Sequence, residues 1–231
     1  MPGLGDLLDR ARALGVYGTK ERSVINLANR AGIAAVVAQQ FEVAQEVLAH
    51  GLMPIIEPEV NIKSPERAES DAILLDETLK ALDTLPGDDK VMLKLSLPAT
   101  PDTFLPLVEH PRVLRVVALS GGYSRTDACV ELAKNRGIIA SFSRALLEDL
   151  RAQMTDAEFD ASLGSAIDEK LFGKSSKPKI RGSRLTVGCD MYALGVTMHL
   201  LLSGAPPFTG TRVFDILSKQ VTEAPAPLPT A

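Results

Sequence analysis

Residues 91–97 read VMLKLSL, a strand-like run in which one lysine stands among apolar side chains. Successive residues of a strand point to opposite faces of the sheet, so Leu93 and Leu95 share one face and Lys94 lies on the other. Burial disfavours a charged ammonium group, so Lys94 must either reach water past its neighbours or do chemistry. This stretch therefore predicts a buried sheet strand with a polar group on one face.

Four other strand-like runs alternate with helical stretches along the same part of the chain. They are residues 16–19, Met53–Val60, 114–119 and 138–142. Several are almost wholly apolar, which is typical of parallel strands covered on both faces by helices. The alternation predicts an α/β fold, as either a doubly wound sheet or a β/α barrel.

Helix signals separate these strands. Apolar residues from Ile33 to Leu48 follow a 3.6-residue period that stops at Gly51, and Ser64 followed by Pro65 is typical of a helix start. Residues 155–158 (TDAE) match a capping box for a helix that continues to Ile167. The remaining predicted helices are residues 102–108, 126–134 and 144–151.

Polar residues cluster where the predicted strands end. Lys20 and Arg22 follow the first strand, Glu57 and Glu59 end the second, and Lys94 lies in the third. Residues 120–122 (SGG) follow the fourth strand and residues 143–144 (SR) follow the fifth. Catalytic groups of a β/α barrel lie at the carboxyl ends of its strands, so this pattern favours a barrel. Five β/α units do not close an eight-stranded barrel, and we expect a partial one.

The composition narrows the class of protein. The chain has 231 residues, of which 45% are hydrophobic and 23% charged, as in ordinary globular proteins. A net charge of −4 argues against a nucleic-acid binder. Cys129 and Cys189 lie far apart and no Cys/His group has metal-ligand spacing. Residues 1–6 have no basic stretch followed by an apolar one, so we expect no signal peptide, and the longest apolar run, residues 191–202, is too short to span a membrane. We expect a cytoplasmic protein with two free thiols.

Lys94 and the paired glutamates suggest amine chemistry. A neutral buried lysine can attack a carbonyl carbon to form a Schiff base. Glu57 and Glu59 are two residues apart, so both project from one strand face, where two carboxylates do not ionise easily together. One of them can then move protons as a general acid/base. The alternatives are a lysine that extends to water and two solvated glutamates.

Residues 119–124 (LSGGYS) predict an anion site, because the backbone amides of Ser120, Gly121 and Gly122 precede a helix without bulky side chains. Arg144 follows the next strand and can clamp the same anion. Lys20 and Arg22 can contact a second anionic group. A simple turn at the glycines and a solvated basic turn at residues 20–22 are the alternatives.

These residues resemble the class I fructose-bisphosphate aldolases, in particular their bacterial branch. The resemblance extends from Gly5 to Ile167 through residues 18–23 (GTKERS), 54–60 (PIIEPEV), 92–95 (MLKL), 119–124 and 141–145 (SFSRA). It implies a (β/α)8 barrel that cleaves fructose 1,6-bisphosphate to dihydroxyacetone phosphate and glyceraldehyde 3-phosphate in glycolysis without a metal.

The resemblance also implies roles for single residues. Lys94 would form the Schiff base and Glu57 would be the acid/base, supported by Glu59. Phosphate would bind Ser120, Gly121, Gly122 and Arg144, and Lys20 and Arg22 would contact the substrate. The family has three further strands before the segment that matches here, carrying an active-site aspartate and lysine. We therefore expect little activity from this chain alone.

The C-terminal stretch differs in character. We divide the chain into a partial aldolase barrel (1–169), a basic linker (170–189) and a helical segment (190–231) with a proline-rich end. Residues 189–208 resemble a C-lobe helix of Ser/Thr protein kinases and the loop after it. The glycine-rich loop, the ATP-site lysine and the His-Arg-Asp and Asp-Phe-Gly motifs are absent from the sequence, which excludes kinase activity.

Two other functions remain compatible with the sequence. A non-catalytic fragment could complement a separate half-barrel or pair its open sheet edges with a second copy. A barrel that binds another phosphosugar would require the paired glutamates to be incidental. The phosphosugar is the expected partner in the first interpretation, and nucleic acid and membrane are not expected partners.

Overall fold

The computed structural model describes residues 3–142, 149–151 and 153–172. Within them, five parallel strands form one sheet in the order β1-β2-β3-β4-β5. The strands are β1 (Gly18–Ile25), β2 (Met53–Val60), β3 (Val91–Ser96), β4 (Val113–Leu119) and β5 (Ile139–Ala140). Each strand lies beside its neighbour in sequence. A doubly wound sheet reverses its strand order at a switch point, whereas this unbroken order is that of a barrel wall.

Six helices accompany the strands in the described part of the chain. They are α1 (Leu4–Ala13), α2 (Arg30–Ala49), α3 (Arg67–Asp83), α4 (Leu105–Val108), α5 (Arg125–Ala133) and α6 (Asp156–Phe172). Ile56, Leu93, Leu95 and Val116 on one sheet face are buried together with apolar residues of α2 and α3. The opposite face therefore remains for polar side chains. None of the described helices is long and apolar enough to cross a membrane.

The first strand is longer than predicted and begins later. The sequence predicted residues 16–19, but β1 pairs with β2 from Gly18 opposite Met53 to Ile25 opposite Val60. Lys20 and Arg22 therefore lie within the strand and do not follow it. The middle of this strand has no apolar run, since Lys20, Glu21 and Arg22 are all charged, and main-chain pairing with β2 holds it in the sheet. Gly18 lies against β2 so closely that a Cβ would be 2.1 Å from the Met53 carbonyl oxygen.

The helix starts agree with the sequence in two cases and differ in one. Ser124 caps α5 by accepting the Asp127 amide, and Thr155 with Glu158 forms the predicted capping box of α6. The third helix begins at Arg67 and not after Ser64, whose hydroxyl instead accepts the Glu66 amide. This segment turns before the helix starts, because the Glu66 carboxylate accepts the Ala28 amide of the preceding loop.

Other differences are local. The sequence did not predict α1, which packs Leu8 against Val47 and Leu52. Only residues 105–108 of the predicted 102–108 segment are helical, since Asp102 has a φ of 62°. Helix α6 continues to Phe172, past the predicted end at residue 167 and into the predicted linker. Of the helix predicted over 144–151, only residues 149–151 are described, and they are not helical. The rest of the linker and the segment 190–231 lie outside the described residues.

Glu21 on β1 provides a test of this packing. Its Oε1 atom is buried without a hydrogen-bond partner, and burial raises its pKa from 4.5 to about 7. The folded state then binds more protons than the unfolded state between these values, so stability falls as the pH rises from 4.5 to 7. We expect Glu21→Gln to stabilise the chain by about 1–2 kcal/mol at pH 8, after allowance for partial exposure, and to have no such effect below pH 4.5.

Urea unfolding of both chains at pH 4.5 and pH 8 measures this difference. Glu42→Gln on α2 is the control, since Glu42 is exposed. An equal effect of the Glu21 substitution at both pH values would contradict the burial argument.

Candidate active site

A cavity of about 260 Å³ opens on the polar face of the sheet, toward the carboxyl ends of the strands. Every one of the five strands or the residues directly after them contributes to its wall. The lining residues are Arg22, Glu57, Glu59, Lys94, Leu119, Ser120, Gly121 and Ser141. Position in the sheet explains this set, because alternate residues of parallel neighbours line one face.

Lys94 points into the cavity while its strand neighbours face the helices. Its side chain is 16% exposed, whereas Leu93 and Leu95 are buried in the core. The Lys94 Nζ atom lies 3.6 Å from the Oε1 atom of Glu57, which is 5% exposed at its side chain. The predicted pairing of an amine and a carboxyl group on neighbouring strands is therefore present in the structure.

Glu57 also contacts a second lysine. The Nζ atom of Lys20 lies 2.8 Å from Oε2 of Glu57, and Lys20 is not among the residues that line the cavity. A nearly buried carboxylate is costly unless its charge is paired. Lys20 supplies that pairing from β1 and leaves Oε1 of Glu57 facing Lys94.

Glu59 has a different partner from Glu57. The Arg22 Nε atom donates a hydrogen bond of 2.7 Å to Oε2 of Glu59. This bond and the glutamate charge raise the pKa of Arg22. The two glutamates that the sequence placed on one face therefore each pair with a different cation of β1. The cluster thus brings three basic side chains, Lys20, Arg22 and Lys94, together with two carboxyl groups.

The Ser120–Tyr123 loop closes one side of the cavity. Gly121 and Gly122 have φ angles of 60° and 106°, and the Tyr123 amide donates to the Ser120 carbonyl across this turn. Ser120 and Gly121 line the cavity, whereas Gly122 is exposed and does not. A Cβ on Gly121 would lie 3.0 Å from Cγ2 of Ile62. The conformation and the space available both favour glycine at this position.

The structure brings together most of the predicted site residues. Arg144 lies outside the described residues, so its predicted role stays a prediction. Leu119 and Ser141 line the cavity although the sequence did not single them out. Ser141 stood in a motif directly after the fifth strand, and that position was the available signal. In the described ranges, no three His, Cys, Asp or Glu residues come close enough together to hold a metal ion.

The fold and the cavity place the chain with the β/α-barrel proteins. It superposes on a fructose-bisphosphate aldolase from Plasmodium falciparum, solved in complex with TRAP and a small-molecule inhibitor, with a TM-score of 0.59. The identity is 20%, over 77% of this chain and 63% of that one. At this identity the likeness shows the fold alone, and it confirms the α/β fold that the sequence predicted.

Two relatives found by sequence show which β/α-barrel proteins the chain resembles in sequence. The chain is 53% identical over 175 residues to a class 1 fructose-bisphosphate aldolase from Synechocystis, covering 76% of this chain and 58% of the relative. It is 51% identical over 168 residues to one from Porphyromonas gingivalis, covering 73% of this chain and 57% of the relative. The chain thus spans less than three fifths of the length of these relatives. No family model matches the chain.

Proposed function

We propose that this chain carries the Schiff-base chemistry of a class 1 fructose-bisphosphate aldolase, a carbon–carbon lyase. The observation that carries the proposal is the pairing of Lys94 with the nearly buried Glu57 in a cavity that also holds Arg22 and the Ser120–Tyr123 loop. The aldolase relatives support it, since their identity to this chain exceeds 50% over the matched residues.

In this proposal, Lys94 is the nucleophile and Glu57 moves the protons. The neutral Lys94 amine attacks the carbonyl carbon of the substrate, and the carbonyl oxygen leaves as water after protonation by Glu57. The resulting iminium accepts the electron pair of the bond between the α- and β-carbons when that bond breaks, and a base removes the proton of the β-hydroxyl group, which becomes the carbonyl of the released aldehyde. The enamine left on Lys94 is then protonated at the α-carbon, and addition of water to the iminium releases the ketone and restores the amine. Lys20 holds Glu57 in place, and Glu59 orients Arg22.

The substrate would be a phosphosugar, fructose 1,6-bisphosphate by resemblance. Ser120 and Gly121 would bind one phosphate, together with Gly122 and Arg144, and Arg22 would contact an anionic group from the opposite side of the cavity. Lys20 contacts Glu57 in this structure, so a contact to the substrate would require that ion pair to open. None of these steps requires a metal.

Turnover by the chain alone is expected to be weak. The described strands form one five-stranded sheet, and the residues that line the cavity come from one face of it and from the segments after its strands. Misplacement of a substrate by about 1 Å can cost on the order of 10²-fold in rate, so a substrate held from one side reacts slowly. Imine formation at Lys94 requires fewer substrate contacts than carbon–carbon cleavage does, so we expect the chain to form the imine.

An assay with two readouts tests this proposal. Purified 231-residue chain is given fructose 1,6-bisphosphate with and without EDTA, and triose phosphate release is measured by a coupled assay. In parallel, borohydride is added to the chain with dihydroxyacetone phosphate. We expect slow, EDTA-insensitive cleavage and a stable adduct. EDTA-sensitive cleavage, or no adduct, would contradict the proposal, and cleavage at the rate of an intact aldolase would contradict the expected weakness.

A second candidate function, pairing of sheet edges with another copy, has its own observation. In the described sheet β1 has only β2 beside it, and Val24 on β1 and Leu27 after it are 46% and 63% exposed. An unpaired strand with exposed apolar residues can add a strand from another chain. Mass photometry distinguishes this candidate, which predicts stable dimers that Val24→Lys disrupts.

The segment 190–231 is proposed to be of kinase C-lobe origin on its sequence resemblance alone. It lies outside the described residues.

The Gly121 turn yields a further prediction. Gly121→Ala should destabilise the chain by about 1 kcal/mol through its positive φ and also weaken phosphate binding, because the new methyl group contacts Ile62. Gly87→Ala is the matched control. Gly87 also has a positive φ, of 50°, but has open space around its Cβ position. Thermal melts with and without inorganic phosphate should show comparable destabilisation in both variants and reduced phosphate stabilisation only in Gly121→Ala. Equal phosphate stabilisation in both would show that the turn does not shape the anion site.

A further inference from the structure

Arg67, the first residue of α3, contacts two loops at the carboxyl end of the sheet. Its guanidinium donates from Nη1 to the Tyr123 hydroxyl at 2.7 Å and from Nη2 to the Leu97 carbonyl oxygen. The guanidinium carbon also lies 5.7 Å from the centre of the Tyr123 ring. One side chain thus connects the start of α3 to the loop after β3 and to the Ser120–Tyr123 loop.

Asp71, one turn further along α3, completes this connection. Its Oδ2 atom accepts the Ala99 amide at 2.8 Å, which ties the same loop after β3 to α3 a second time. Burial raises the pKa of Asp71 to about 6, partly offset by the Ala99 amide and by the charge of Arg67. Arg67 and Asp71 therefore each hold the loop after β3 by a hydrogen bond from successive turns of α3.

The chemistry of arginine explains why this position needs it. The planar guanidinium presents several N–H groups in fixed directions and stacks on an aromatic ring, whereas a lysine offers one point charge. Here two N–H groups reach acceptors on two different loops. The Nε atom of Arg67 is buried without a partner, a cost that the other contacts of the side chain must offset.

We propose that Arg67 is a positioning residue that sets the conformation of the Ser120–Tyr123 loop, so that the cavity prefers phosphorylated over unphosphorylated carbonyl substrates. Arg67 does not line the cavity, and it acts through Tyr123, three residues from Ser120. This inference rests on the proposed function for the identity of the substrate, and on the loop geometry for the role of Arg67.

The test compares two ketones that differ only in a phosphate group. Rates of borohydride-trapped adduct formation are measured with dihydroxyacetone phosphate and with dihydroxyacetone, in the full chain and in Arg67→Met, Arg67→Lys and Tyr123→Phe. We expect Arg67→Met to lower the preference for the phosphorylated ketone by about tenfold, with little change for dihydroxyacetone. Tyr123→Phe keeps the ring and loses one hydrogen-bond acceptor, so it should lower the preference less than Arg67→Met does. Arg67→Lys keeps a positive charge and should retain more of the preference than Arg67→Met.

Arg30→Met is the matched control, because Arg30 also pairs with α3, through Asp76 and Glu77, on the exposed surface. It should leave the preference unchanged. An equal slowing of both ketones by Arg67→Met would overturn the proposal and indicate a merely structural role. Should Arg67→Met fail to fold, the ratio of the two adduct-formation rates in Tyr123→Phe and Arg67→Lys tests the proposal in its place.

Binding of inorganic phosphate, followed by ³¹P NMR, separates this proposal from the proposed function. A chain that binds phosphate but forms no adduct with either ketone contradicts the Schiff-base function. The proposal for Arg67 is then tested by phosphate affinity alone, which Arg67→Met should weaken and which, if unchanged, would overturn it. A chain that traps both ketones equally and binds no phosphate keeps the imine chemistry and overturns the proposal for Arg67.

Discussion

A Lys94→Met chain is expected to form no borohydride-stable adduct with dihydroxyacetone phosphate and to lose cleavage of fructose 1,6-bisphosphate by about 10³-fold or more. The thioether has no nucleophilic nitrogen, while its size and apolar character suit the position between Glu57 and Val117 on the neighbouring strands. Adduct formation is measured by intact-protein mass spectrometry after reduction.

Two controls isolate the nucleophile. Lys63→Met removes an exposed lysine outside the cavity and should leave the adduct intact. Lys20→Met removes the second cation beside Glu57 and should slow adduct formation without abolishing it, because Lys94 remains. An undiminished adduct in Lys94→Met would mean that another lysine is modified.

Glu57→Gln is expected to slow imine formation by about 10²- to 10⁴-fold, the usual contribution of a positioned acid or base. The amide keeps the shape of the side chain but does not protonate the departing oxygen. It also removes the negative charge that lies 2.8 Å from Lys20 and 3.6 Å from Lys94. The rate of adduct formation is followed by quenching with borohydride at increasing times.

Glu59→Gln is the matched control for this experiment, since it lies two residues away on the same face and pairs with Arg22. We expect it to weaken binding of the anionic substrate more than it slows the chemical step, because Arg22 loses the carboxylate that orients it. Adduct formation at an unchanged rate in Glu57→Gln would assign the proton transfer to another group.

The strands rich in apolar residues were predictable because buried parallel strands require apolar side chains, so the run itself is visible in the sequence. Strand β2 has the predicted bounds, and the period of two placed Lys94 opposite Leu93 and Leu95 as the structure has it. Strand β1 was misplaced because its sequence, GTKERSVI, has three consecutive charged residues in its middle and an apolar pair only at its end. Such a strand is specified by its partner β2, which a local pattern does not contain.

The contacts of the site depend on register and tertiary structure. The sequence placed Glu57 near Lys94, but the parallel register that sets Arg22 opposite Glu57 decides which cations β1 presents to the glutamates. Lys20 pairs with Glu57, a contact that the sequence did not predict, and its role in substrate binding stays a prediction. Arg67 gave no sequence signal, because its acceptors lie 30 and 56 residues away along the chain.

Peptide mapping of the reduced adduct tests most directly whether Lys94 forms the Schiff base. The wild-type chain is incubated with dihydroxyacetone phosphate, reduced with borohydride, digested and sequenced by tandem mass spectrometry. We expect the mass of the reduced adduct on Lys94, in the peptide that contains VMLKLSL, and no such mass increase on Lys20. An adduct located on any other lysine, or no adduct in a chain that binds phosphate, would contradict it.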